Sequence, residues 1–157
     1  MKKLGVFVLL WGILTGCAAA PTFETLGPVN HAQADAVQEE EILICLPDDA
    51  QQFGDSYFCG DYYFEIKTVS AGDLDATIRA MCGFSQQELT VMTAGTEKYN
   101  RYEWVWSATG DEGEVICRAA VIDDGSHYHC LTTVAPAEKG GALRESWNLL
   151  FSSFQIG

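Results

Sequence analysis

Three consecutive segments with alternating apolar and polar residues occupy the second half of this chain, and they constrain its fold more than any other feature. The segments are Arg101 to Ala108, Glu114 to Asp123 and Ser126 to Val134. Alternation with a period of two is typical of strands that bury one face. Asp111 to Gly113 and Asp124-Gly125 separate the segments, and such residues favour tight turns. The sequence therefore predicts antiparallel strands joined by hairpins.

Three shorter apolar segments predict further strands. They are Glu41 to Leu46, Tyr57 to Val69 and Leu89 to Ala94, with a polar loop expected between the first two. In the middle segment, every second residue from Tyr62 to Ile66 is apolar, so these side chains are expected on one face.

Two other segments have the period of an amphipathic helix. The first places Leu74, Ile78, Met81 and Cys82 on one face and is expected to end at Gly83. The second runs from about Lys139 to Phe151, and its apolar face consists of Leu143, Trp147, Leu150, Phe151 and Phe154. Strands flanked by two such helices predict an α+β domain in which both helices cover an antiparallel sheet.

The N-terminus has the features of a bacterial lipoprotein leader. Two lysines precede an apolar run, Leu4 to Leu14, that is too short to span a bilayer comfortably. The run continues into Leu14-Thr15-Gly16-Cys17, which resembles the lipobox that directs lipid to a cysteine. We therefore predict that residues 1–16 are a signal peptide and that lipid on Cys17 anchors the protein to the extracytoplasmic face of the cell membrane.

The mature chain is expected to be one acidic domain on a tether. Removal of residues 1–16 leaves 141 of 157 residues, enough for a single core. Residues 17–40 lack an apolar period and predict a lipidated flexible tether, and residues 41–157 form the domain. The leader removes two of nine basic residues and none of the 22 acidic ones, so the net charge moves from −13 to −15. Such a charge argues against nucleic acid or anionic lipid as partners.

The five cysteines that follow the lipidation site lie in a compartment where disulfides persist. A two-residue loop in the last hairpin would place Cys117 and Cys130 diagonally, about 7 Å apart, where a bridge is strained. A four-residue loop would place them directly opposite, and the sequence leaves both registers open. Cys45 and Cys59 form a second candidate pair, and Cys82 is expected to be a buried free thiol.

The sequence contains no catalytic or phosphate-binding motif, and no cofactor is predicted. His127 and His129 lie on the same side of a strand and form a candidate weak metal site, although no third ligand of known position accompanies them. Two solvated histidines are the simpler interpretation. An enzyme is therefore not the favoured hypothesis.

A group of aromatic residues could form a docking face for a partner or a glycan. Its members are Tyr62, Tyr63, Phe64, Tyr99, Tyr102, Trp104 and Trp106. Alternation assigns Tyr62, Phe64, Trp104 and Trp106 to the core. Tyr63 and Tyr99 remain as the members expected at the surface.

The order of elements from Glu41 to Gly157 resembles that of the PsbP-like proteins. Glu112-Gly113 before a strand, the strand from Tyr128 to Thr132 and the ending from Trp147 to Phe154 carry the likeness. The resemblance implies an α/β/α sandwich, but it transfers no functional residue. It also implies a non-catalytic binding or assembly factor with a protein partner in the envelope. A small-ligand or metal-binding lipoprotein is the alternative, and a hydrolase ranks third.

Overall fold

Seven strands in the described part of the chain form one antiparallel sheet, and three others form a small second sheet. The structure is a computed structural model that describes residues 42–157 and, before them, the backbone of Thr22–Leu26. The predicted signal peptide and the lipidation at Cys17 lie outside the described residues. Within these residues, no helix has the length and apolar character needed to cross a membrane.

The elements follow the expected order. In chain order the strands are β1 (Thr22–Leu26), β2 (Ile42–Leu46), β3 (Gln51–Phe53), β4 (Ser56–Cys59), β5 (Tyr62–Ser70), β6 (Met92–Gly95), β7 (Asn100–Gly110), β8 (Gly113–Asp123), β9 (His127–Pro136) and β10 (Gln155–Ile156). The helices are α1 (Leu74–Cys82), after β5, and α2 (Arg144–Ser153), after β9. The large sheet has the order β3-β4-β5-β9-β8-β7-β6, and the small sheet has the order β1-β2-β10.

The large sheet is covered on both faces. On one face, α2 and β2 pack against alternate residues of the central strands, including Phe64 and Leu131. On the other face, α1 inserts Ile78 among the intervening residues, including Trp104 and Cys130. This arrangement confirms the predicted α+β class and the α/β/α sandwich.

The predicted central hairpins are present, since β7, β8 and β9 pair in sequence order. The apolar face of the closing helix is also confirmed, because Trp147, Phe151 and Phe154 are buried. The helix itself begins at Arg144, later than predicted, since a short 3₁₀ turn and Gly140-Gly141 occupy the preceding residues. A glycine pair gives little support to a helix interior.

One strand prediction and one loop prediction in the first half of the chain were wrong in detail. The single strand expected from Tyr57 to Val69 is interrupted by Gly60-Asp61, and Gly60 has a positive φ of 53° that allows a tight turn. The loop before it contains β3, whose residues are all exposed and therefore carry no buried alternation. Hydrogen bonds to β4, rather than burial, define this strand.

The strand expected from Leu89 to Ala94 was also displaced. Leu89 and Val91 pack against the cluster beneath α1, and β6 begins only at Met92. In addition, Thr22–Leu26 forms a strand that pairs with β2, so the prediction of a flexible tether is wrong for these residues. The rest of the tether lies outside the described residues.

The predicted disulfides are absent, because all five cysteines in the described part of the chain are free thiols. Neither expected register of the last hairpin is correct: Cys117 faces Val134, and Cys130 faces Val121. An offset of four residues along a strand is about 13 Å, too far for a bridge. Burial raises the pKa of the Cys130 thiol to about 12, which suppresses the reactive thiolate.

Thiol counting on the denatured, unreduced mature domain should therefore find all five of these cysteines unoxidised. The physical reason is the separation of Cys117 and Cys130 along the strands. A count of three or fewer would contradict the structure, because each bridge removes two thiols. The same count after reduction provides the control.

Candidate interaction surface

Three aromatic rings lie in a continuous row at the β3 edge of the large sheet. Phe53 contacts Phe58 edge to face, with ring centroids 5.5 Å apart, and Phe58 lies 5.8 Å from Tyr63. Phe53 is 64% exposed and Phe58 is 43% exposed, while Tyr63 is half-buried. We call Phe53, Phe58 and Tyr63 the aromatic edge.

The aromatic edge lies on the same face of the sheet as α1, but beyond the area that α1 covers. Phe58 is paired with Tyr63, and Tyr63 is paired with Val134, so the rings share one side of three adjacent strands. Ile78 of α1 instead packs over Trp104 and its neighbours nearer the opposite edge. The helix has nine residues and leaves this corner of the sheet to solvent.

Two tight turns explain why these phenylalanines are exposed. Gly54-Asp55 joins β3 to β4 and Gly60-Asp61 joins β4 to β5, and both glycines have positive φ. The β4 strand between them points Tyr57 and Cys59 into the core, so Phe58 must point to the other face. Contiguous exposed apolar side chains, unlike single ones, are a feature of interaction sites.

The sequence prediction of exposed aromatic residues was therefore incomplete. Tyr63, predicted at the surface, is half-buried, and the exposed Phe53 and Phe58 beside it were not identified. The two Gly-Asp pairs could have identified them, because each is a two-residue turn signal. Tyr62, Phe64 and Trp104 are buried as predicted, but Trp106 and Tyr99 are half-buried.

Carboxylates lie at both ends of the β4 strand. Asp55 is in the first turn, and the Asp49 carboxylate lies 3.4 Å from the position that a side chain on Gly60 would occupy. The nearby lysines are paired: Lys67 with Glu65 at 2.8 Å, and Lys139 with Asp61 at 3.4 Å. The surroundings of the aromatic edge are therefore acidic.

The two candidate metal ligands are the first and third residues of β9, on the face of the large sheet opposite the aromatic edge. His129 is 4% exposed, and its Nε2 and Nδ1 contact the Asp124 carboxylate at 2.9 Å and the Thr68 hydroxyl at 3.0 Å. The interpretation of both histidines as solvated is therefore wrong for His129, which is buried. His127 is half-buried. Both His129 nitrogens are already occupied. Within the described residues, no group of three or more His, Cys, Asp and Glu side chains is arranged to hold a metal.

Asp124 organises this turn. Burial by itself would raise the pKa of its carboxyl, but hydrogen bonds from the His127 and Ser126 backbone amides and from the His129 and Ser126 side chains lower the pKa to about 2. These bonds draw two further residues into the turn, so Asp123 faces Tyr128. This explains why both predicted hairpin registers were wrong.

The turn also brings Ser126 and His127 together, with Oγ and Nδ1 3.0 Å apart. The Ser126 hydroxyl contacts the Asp124 carboxylate directly at 2.9 Å. In a serine nucleophile system the acid instead orients the far nitrogen of the imidazole. The observed geometry is that of a hydrogen-bonded turn.

Replacing Asp124 by asparagine should lower the free energy of unfolding by about 1–3 kcal/mol, because a charged acceptor is lost from a nearly buried turn. The carboxyl pKa is lowered in the folded protein, so its contribution is complete above its ordinary value of 3.8 and is lost as the pH falls toward about 2. The difference between D124N and wild type should therefore shrink in acid. Urea unfolding at several pH values measures it, with D111N in an exposed turn as the control. An equal difference at every pH would contradict the assignment.

A cleft of about 380 Å³ lies beside the turn between β6 and β7 and is lined by Thr96, Glu97, Lys98, Tyr99, Ile156 and Gly157. Small-ligand sites are mostly apolar and enclosed. Tyr99 and Ile156 are the large apolar residues of this open cleft, which gives a small-ligand function little support.

The arrangement of strands and helices is PsbP-like. The chain is similar to the solution structure of cyanobacterial PsbP (CyanoP) from Synechocystis sp. PCC 6803, with a TM-score of 0.57 and 12% identity, over 94% of this chain and 99% of that chain. It is also similar to LpqN, involved in cell envelope biogenesis of Mycobacterium tuberculosis, with a TM-score of 0.42 and 10% identity, over 90% of this chain and 87% of that chain. No protein-family model and no curated protein sequence matches the chain.

Proposed function

We propose that this protein is a membrane-anchored extracytoplasmic lipoprotein whose PsbP-like domain binds a partner protein in an envelope or membrane complex and has no catalytic role. The observation that carries the proposal is the aromatic edge, with Phe53 and Phe58 in mutual contact and exposed. Aromatic residues are enriched where proteins bind one another.

The proposal assigns binding to the side chains of the aromatic edge rather than to their backbone. Phe53 and Phe58 contribute little to the core, so polar replacements should leave the fold intact. Two other large apolar residues, Val105 and Leu149, are 50% and 45% exposed and lie outside the aromatic edge. They provide a matched control in which two exposed apolar side chains are replaced elsewhere on the surface.

The experiment compares the tagged mature domain with F53S/F58S and V105S/L149S variants in pull-downs from detergent-solubilised membranes of the source cells. We expect the wild type and V105S/L149S to retain one protein in stoichiometric amount, and F53S/F58S to retain less than about a tenth of it. Equal melting temperatures of the three proteins establish that the fold is unchanged. Equal recovery with F53S/F58S would overturn the proposal.

The membrane anchor is tested separately. Because Cys17 would receive the lipid, C17S should move the protein from the membrane fraction to the soluble extracytoplasmic fraction, or leave it as uncleaved precursor. C82S changes the last residue of α1, which packs against the cluster around Ile78, and this variant should remain in the membrane fraction. Normal processing and membrane retention of C17S would refute the lipoprotein assignment. Cell fractionation with immunoblotting provides the measurement.

A further inference from the structure

We infer that the segment of the partner that binds the aromatic edge is cationic, with arginine or lysine side chains beside apolar ones. This inference rests on the proposed function and specifies the chemistry of the partner. Carboxylates surround the three rings, and the neighbouring lysines are already paired with other carboxylates.

The charge around the aromatic edge is not balanced by the protein itself. Lys67 and Lys139 are each paired with a carboxylate, Glu65 and Asp61 respectively. Asp48, Asp49 and Asp55, which lie in the turns nearest β3 and β4, form no ion pair among the described residues. A bound segment therefore meets apolar rings flanked by uncompensated negative charge.

The aromatic rings also favour a cationic partner, because the electron-rich face of a ring attracts a guanidinium or an ammonium group. The protein uses the same interaction internally, where the Arg118 guanidinium lies 4.1 Å from the centroid of the Phe151 ring. At the aromatic edge, arginine could contact a ring with its planar group and a nearby carboxylate with its N–H donors. Lysine would supply the charge without the planar contact.

The same charges exclude other occupants of this surface. Two copies of the chain meeting at their aromatic edges would bring unpaired carboxylates together, since Asp55 lies in the turn between β3 and β4 and Asp49 lies beside Gly60 in the next turn. Like charges brought into contact across an interface disfavour the complex. Anionic lipid and nucleic acid are repelled for the same reason. A basic protein segment has the complementary charge.

The test measures binding of a short synthetic peptide of alternating arginine and leucine, labelled for fluorescence anisotropy, to the mature domain at low and high salt. A peptide with glutamate in place of arginine is the probe control. D49N/D55N should weaken binding by about three- to tenfold at low salt, and F53S/F58S by about tenfold or more. E97Q/E145Q removes the same charge from exposed sites away from the aromatic edge and should change binding by less than about twofold.

Equal weakening by D49N/D55N and E97Q/E145Q would overturn the inference, because binding would then reflect the overall charge. Equal binding of the glutamate peptide would also overturn it. The membrane pull-down separates this failure from failure of the proposed function. If F53S/F58S loses the membrane partner while the peptide shows no local preference, the binding function stands and the cationic partner is rejected. If the pull-down is also unaffected, both are rejected.

Discussion

Replacing Glu103 by alanine should lower the free energy of unfolding by about 3–5 kcal/mol, because it leaves two largely buried arginines without their shared carboxylate. Glu103 on β7 contacts Arg101 at 2.7 Å and Arg118 at 2.8 Å. The side chains of all three residues are at most 20% exposed. Loss of one partner from such a group costs more than the group itself contributes to stability.

The two arginines also connect the sheet to the end of α2. Arg101 donates to the backbone carbonyls of Phe151 and Phe154, and Arg118 donates to the Asn148 side chain at 3.0 Å. The carbonyls at the end of a helix have no partner within the helix, so a cation there satisfies them and interacts favourably with the helix dipole. Without Glu103, the arginines lose the contact that orients them toward these carbonyls.

The pH dependence provides a second measurement. Burial alone would raise the pKa of the Glu103 carboxyl, but hydrogen bonds and charge from Arg118 and Arg101 lower it below the ordinary value of 4.5. The stabilisation is therefore complete above about pH 4.5 and is lost as the pH falls through the lower, folded value. E103Q should remove this part of the acid sensitivity.

Urea unfolding at neutral and acidic pH tests the expectation. E114A changes an exposed glutamate on the neighbouring strand, and a surface change of this kind should alter stability by no more than about 0.5 kcal/mol. If E103A were as stable as E114A, the contribution of Arg101 and Arg118 to stability would not depend on Glu103.

Replacing Trp147 by alanine should also lower the free energy of unfolding by about 3–5 kcal/mol. Trp147 is 5% exposed, and its ring lies 6.2 Å from the Tyr62 ring in an edge-to-face arrangement. The truncation leaves a cavity between α2 and the sheet that its neighbours can fill only partly. For a domain of this size, such a loss should lower the melting temperature by more than about 10 °C.

A second substitution separates packing from hydrogen bonding at this position. The Trp147 Nε1 is buried and has no hydrogen-bond partner among the described residues. Phenylalanine fills much of the space without this N–H, so W147F should cost far less than W147A. L149A, at a 45% exposed position of the same helix, controls for the change in helix propensity. A W147A protein that melted like L149A would show that α2 does not depend on this contact.

Local patterns in the sequence predicted most of the sheet. Successive residues of β7, β8 and β9 point to opposite faces of the sheet, and the period of two in their residue types predicted these strands. Because both faces are covered, β8 and β9 bury runs of consecutive residues, Ala119 to Ile122 and Tyr128 to Leu131. The apolar face of α2 was predicted for the same reason, although its first turn was not, since Gly140-Gly141 ends the preceding segment. The exposed strand β3 could not be found in this way, because its definition depends on hydrogen bonds to β4.

The candidate surface required the tertiary structure. The sequence predicted Tyr63 at the surface, where it is half-buried, but only the two turns around β4 bring Phe53 and Phe58 next to it. The Glu103 group was not identified at all, because Arg118 is 15 residues away in the chain and reaches Glu103 only through the pairing of β7 with β8.

By itself, the sequence determined the α+β class, the order of the main elements and the apolar faces of both helices, because each depends on contacts that repeat along a single segment. The tertiary structure alone decided the register of the last hairpin, and with it the separation of Cys117 from Cys130. That register follows from the hydrogen bonds that Asp124 accepts within its turn and from His129. Such bonds depend on side-chain positions in space, and a pattern of residue types along the chain does not contain them.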